Sequence, residues 1–197
     1  MALLHGLLKP FQTWNDWVLP IGRWFSIVAI ALMVLAILIQ VFFRYVLNAA
    51  LPWPDEAARF MMLWLTGLMA PMAFRRGGFV AIDMVVMALP LKIGQVVSLF
   101  RLFISAGVLL MAINIGWGEV TGCGGKFMRA SLYVPLAMDF SDWLRVPRSW
   151  MMASLLVGVV LLFVVNIELI LRSLITFLGD GDRLKDLAPP EEEIMAE

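Results

Sequence analysis

The sequence predicts an all-α integral membrane bundle of four transmembrane helices, with an N-terminal interfacial helix and a short interfacial or re-entrant element before the third span. Three observations carry this. Of 197 residues, 62% are hydrophobic and only 15% charged, and the mean hydropathy is +0.90, which leaves too little polar surface for a soluble domain of this length. Uncharged apolar runs recur four times, each bracketed by charged residues. Seven of the eight tryptophans (Trp14, Trp17, Trp24, Trp53, Trp117, Trp143 and Trp150) fall near the ends of those runs, where indole rings anchor at the headgroup level.

Composition also excludes several functions. Fifteen basic residues balance fifteen acidic ones, so there is no basic field for nucleic acid. A single cysteine, Cys123, rules out an internal disulfide or thiolate cluster. A single histidine, His5, rules out bis-histidine haem ligation and most catalytic triads.

The transmembrane domain is predicted over 1–178, with helices at about 24–43, 57–74, 93–118 and 149–171. Residues 1–23 place Leu4, Leu7, Leu8, Phe11, Trp14 and Val18 at helical spacing around Pro10, which reads as an amphipathic segment lying in the interface. No small-residue cleavage site follows it, so it does not read as a signal peptide. The 20 uncharged residues from Trp24 to Phe43 reach roughly 30 Å as a helix, the thickness of the hydrocarbon layer. Gln40 is the strongly polar member of that run.

Helix 2 opens at Pro54, which suits a first helical position because its missing N–H needs no partner there. Asp55 and Glu56 follow in the first turn, where the helix dipole favours negative charge. Arg59 stands four residues after Asp55 and three after Glu56, within pairing distance on one face. The apolar body runs to Phe74 and ends at Arg75-Arg76-Gly77-Gly78.

Phe79 to Leu89, apolar apart from Asp83, is too short to cross as a helix. Helix 3 carries Arg101 near its start, either snorkelling to the interface or contacting a partner. Glu119 to Arg148 is the longest polar connection. Ser149 to Ile167 is the uncharged part of helix 4, followed by Glu168 and Arg172 at i,i+4 spacing. Thr66 with Ala70, and Ser154 with Gly158, offer small residues for helix packing. The tail 179–197, with Pro189-Pro190 and Glu191-Glu192-Glu193, reads as solvated and disordered.

With both termini inside, the inner segments hold Lys9, Arg23, Arg75, Arg76, Lys92, Arg172, Arg183 and Lys185. The outer ones hold Arg44, Arg59, Lys126, Arg129, Arg145 and Arg148, with Arg101 unassigned. The excess favours N-in, C-in.

No run has a carboxylate in its middle, so a private ion path is not expected. No serine has a basic companion and no aspartates pair, which removes intramembrane proteolysis. "GCGGKF" at 122–127 imitates a phosphate loop, but Val120 stands where the first glycine belongs and Phe127 where Ser or Thr is required. A bundle without private chemistry is suited to supporting another protein.

From Gln40 to Asp83 the chain resembles the small membrane subunit of tripartite ATP-independent periplasmic (TRAP) transporters. The resemblance rests on "FRYVLN" (43–48), "LPWPDEAAR" (51–59), "LWLTGLMAPMAFRRGG" (63–78) and "ID" (82–83), in that order. Phe79 stands where the family has histidine, and the 117–131 segment matches none of its features. The resemblance implies a non-catalytic subunit in the bacterial inner membrane. Its implied partners are a large membrane subunit holding the substrate and sodium sites, a periplasmic binding protein delivering an organic acid, and membrane lipids. It implies no cofactor, metal or substrate ligand in this chain. The candidate structural or subunit-contact residues are Arg44, Asn48, Trp53, Asp55, Glu56, Arg59, Arg75, Arg76, Asp83 and Arg101, with Arg44, Glu56 and Arg59 expected to tie helices 1 and 2 together at the outer surface. Two other readings are an accessory subunit of another membrane complex and a self-contained homodimeric carrier.

Overall fold

The computed structural model describes residues 2–48, 51, 53–76, 91–122, 128–135 and 143–178. Its helices are α1 (Ala2–Tyr45), α2 (Trp53–Arg75), α3 (Leu91–Thr121) and α4 (Arg148–Phe177). All four are long and apolar enough to cross a membrane. The bundle is therefore the all-α, four-span fold expected. The expected short element at 79–89, Asp83 and the 179–197 tail lie outside the described residues.

Helices run alternately up and down. Gly22 packs on Leu68 and Asp16 on Arg75, so α1 is antiparallel to α2. Gly67 meets Gly158 and Arg75 meets Glu168, so α2 and α4 run the same way. Leu102 pairs with Asn166 and Gly116 packs on Leu156, making α3 antiparallel to α4. The centre belongs to α4, which packs against each of the other three.

The N-terminal segment and helix 1 form one 44-residue helix through Pro10 and Pro20, not the two pieces anticipated. A proline inside a helix removes a hydrogen bond and costs about 3 kcal/mol, so continuity needs compensation from packing. The inward positions supply it. Leu8, Asn15, Leu19, Gly22, Ser26 and Ala36 are buried, with Ala29, Met33, Gln40 and Phe43 half-buried between and beyond them. From Asn15 on, these positions recur at alternating steps of four and three, the seam of a left-handed helix pair. At ~1.5 Å per residue α1 is roughly 66 Å long, about twice the hydrocarbon thickness.

Where α2 crosses α4 the backbones touch. A Cβ on Gly67 would lie 2.6 Å from the Ser154 carbonyl oxygen, and one on Gly158 would lie 2.7 Å from the Gly67 Cα. Ser154 and Gly158, the small pair on helix 4, thus meet Gly67. Its neighbour Thr66 is exposed and donates its hydroxyl to the Met62 carbonyl at 2.9 Å. Close approach of this kind lets van der Waals contact hold helices that lipid itself would solvate equally well.

The long polar connection contains a two-stranded antiparallel ladder, β1 (Met128–Pro135) and β2 (Trp143–Pro147). Tyr133 pairs with Arg145, Val134 with Leu144 and Pro135 with Trp143, with an irregularity between Met128 and Tyr133. Prolines at the ends suit a short ribbon with open edges. This ribbon is an appendage to the helical bundle, and β1 lies beside α2.

Candidate functional site: a buried charge cluster

Glu168, nine residues before the end of α4 at Phe177, has a completely buried side chain. Its Oε1 accepts from Arg75 Nη2 at 2.9 Å and from Arg172 Nε at 3.0 Å. Its Oε2 accepts from Asn15 Nδ2 at 2.6 Å. Arg75 Nη1 also donates to Asp16 Oδ1 at 2.7 Å. One carboxylate therefore joins three helices, with two arginines balanced by two acids.

Local sequence prepares each member. Arg75 occupies the last turn of α2, where the helix dipole favours a cation. Glu168 and Arg172 share a face of α4 at i,i+4. Asn15 and Asp16 are adjacent on α1, so one side chain reaches the seam and the other its rim. Asn15 is buried, whereas the Asp16 side chain is 43% exposed.

The arrangement ties three helices together. Both carboxylate oxygens of Glu168 accept strong donors, and two guanidiniums neutralise the local charge. Among the described residues no group of three His, Cys, Asp or Glu side chains could hold a metal ion. A buried carboxylate owes its stability to such pairing, because a charge left alone in the interior costs several kcal/mol; Asn15 Oδ1 and Arg75 Nε in the same cluster are buried without a hydrogen-bond partner.

A second polar tie lies on the other side of α4. Asn166 is fully buried and its Nδ2 donates to the Leu102 carbonyl oxygen at 3.1 Å, joining α4 to α3.

The residues singled out in the sequence divide accordingly. Arg75 is in the cluster. Arg76, beside it, is exposed on another side of the helix. Arg44 is exposed, with its guanidinium 5.9 Å from the Tyr45 ring centroid. Asn48 has φ 50°, a left-handed turn that asparagine tolerates, just past the end of α1. Trp53 opens α2 half-buried, and Asp55 is exposed in its first turn. Glu56 and Arg59 form an ion pair at 3.4 Å within α2 itself. Arg101 is half-buried in α3.

Of the expected tie between helices 1 and 2 through Arg44, Glu56 and Arg59, the described contacts contain the Glu56–Arg59 pair within α2. Among the described residues, the ion pair joining these helices is Asp16–Arg75, at the opposite end. Asn15, Asp16 and Asn166 escaped the sequence reading, which also took Glu168 only as a local partner of Arg172. A usable signal existed: Asn166, Glu168 and Arg172 are polar residues recurring inside an otherwise apolar helix, where burial is rare without a partner.

Comparison with protein families finds that the model described as "Tripartite ATP-independent periplasmic transporters, DctQ component" matches residues 33–176. Comparison with curated proteins and with solved structures finds no match. The family match covers α2, α3, most of α4 and the second part of α1, and stops short of Asn15 and Asp16.

Proposed function

This chain belongs to the DctQ component family of tripartite ATP-independent periplasmic transporters, and from that premise we propose that it is a non-catalytic small membrane subunit whose work is mechanical support of the large membrane subunit. In this reading the large subunit carries the organic acid and the driving sodium ions. A periplasmic binding protein delivers the cargo. This chain widens the stationary part of the transporter against which the large subunit moves. Both termini lie in the cytoplasm, in agreement with the distribution of Lys and Arg.

One observation carries the proposal. Glu168 is the buried carboxylate among the described residues, and it is consumed in a tie among α1, α2 and α4. A carrier needs an acid that alternates between bound and free, whereas this one is clamped by three donors. A clamp that makes three helices move as one body is what a static support requires.

The test is reconstitution in three arms: this chain alone, the large subunit alone, and both together with the binding protein. Uptake requires the complete set, and vesicles with this chain alone accumulate no solute. Accumulation by this chain alone rejects the support role and favours a self-contained carrier. Copurification with a complex of another kind, and not with the large permease, rejects the transporter partnership.

A further inference from the structure

The two arginines that end α2 face different surroundings. Arg75 is spent on Asp16 and Glu168. Arg76 is exposed and, together with Arg23 of α1, lines a groove of about 580 Å³ whose floor includes Leu65, Met69, Met72 and Ala73. No acidic side chain lines it, and among the described residues neither Arg23 nor Arg76 has an ion pair. The groove therefore combines two uncompensated guanidiniums with a floor of aliphatic and thioether side chains.

Depth sets what such a groove accepts. Gly22 packs on Leu68, so Arg23 starts about 13 Å further into the bundle than Arg76, by helical rise. An arginine facing hydrocarbon there is costly, and the cost is relieved when its long stem carries the guanidinium back toward the phosphate level. Arg76 is already at that end of α2. Arg23 and Arg76 line one groove with Leu65 and Met69 between them, so a guanidinium drawn back from Arg23 and the head of Arg76 can serve one headgroup above an apolar track. Guanidinium matches a phosphodiester with paired N–H donors. Basic pockets between transmembrane helices favour negatively charged lipid headgroups over zwitterionic ones. The neighbouring cluster is formally neutral and adds no competing charge.

We propose that the groove between α1 and α2 binds one anionic phospholipid, with its phosphate on Arg23 and Arg76 and an acyl chain along Leu65 and Met69. This goes beyond the supporting role and does not depend on it. It requires only that the bundle sit in a bilayer.

The experiment is native mass spectrometry of the full-length chain purified in mild detergent and supplied with phosphatidylglycerol or phosphatidylcholine. The wild type retains one phosphatidylglycerol per chain in preference to phosphatidylcholine. Arg23→Gln with Arg76→Gln lowers that retention by roughly tenfold or more, Arg23→Lys with Arg76→Lys keeps most of it, and Arg44→Gln leaves it unchanged. Ala73→Trp, which fills the groove while keeping both charges, also loses the lipid and covers the case in which the double glutamine variant fails to fold. Equal retention of the two lipids, unchanged retention in a folded double glutamine variant, or unchanged retention in Ala73→Trp overturns the proposal. So does a complex with the large subunit in which crosslinkers at positions 23 and 76 capture that subunit and no lipid remains.

Discussion

Glu168 receives the guanidinium of Arg75 at 2.9 Å across 93 residues of chain, with the arginine side chain 11% exposed and the carboxylate fully buried. A pair so placed is expensive to break from one side, because the remaining charge stays in a medium that cannot solvate it.

Glu168→Gln is therefore expected to cost about 3–5 kcal/mol of stability, leaving two arginines facing an amide. Unfolding in detergent, followed by circular dichroism, measures it. A loss below about 1 kcal/mol places Glu168 among ordinary exposed pairs.

The rim of the cluster behaves differently. Asp16 is 43% exposed, so Asp16→Asn is expected to cost no more than about 1 kcal/mol. Asn15→Leu removes the donor to the buried Oε2 and is expected to cost about 1–3 kcal/mol. Measuring both single variants tests that order, and a larger loss in Asp16→Asn contradicts the assigned burial.

At the crossing of α2 and α4, Gly67→Ala brings a methyl group within 2.6 Å of a backbone oxygen. The helices must separate, at an expected cost of about 1–3 kcal/mol. Gly107→Ala is its control, since a Cβ there meets nothing within 4 Å. That change is expected to be neutral or to stabilise by up to about 1 kcal/mol through helix propensity. Thermal melts of the two variants should diverge, and matching melts argue against the crossing.

Asn166→Leu removes the bond to the Leu102 carbonyl. Hydrogen bonds between membrane helices contribute about 0.6–2 kcal/mol, so a loss of that size is expected, localised to α3. Hydrogen exchange near residues 98–106 should rise in this variant, while exchange in α1 stays as it was.

Glu56→Gln offers a contrast. Its partner Arg59 is 69% exposed and the pair is 3.4 Å long, while the Glu56 side chain is 14% exposed and has a further contact besides Arg59, so the Arg59 pair itself accounts for no more than about 0.5 kcal/mol of any loss in the isolated chain. A stability loss above about 2 kcal/mol means that Glu56 is held by more than Arg59.

Much was written plainly in the chain. The four spans follow from four apolar, charge-poor runs, and the start of α2 follows from Pro54, Asp55 and Glu56, whose chemistry satisfies a helix N-terminus locally. The TRAP resemblance over 40–83 rests on residues in fixed order and agrees with the family match. These features depend on neighbours a few positions away, so linear order alone reveals them.

The tertiary structure decided the rest: that α1 runs unbroken through two prolines, that Gly67 rather than Thr66 faces α4, and that Asn15, Asp16, Arg75, Glu168 and Arg172 gather in one place. In water an apolar stripe betrays the inward face of a helix. In lipid the outward face is apolar too, so periodicity loses its contrast. Inward faces are then chosen by backbone approach and by long-range polar partners, which only the packed helices bring within reach.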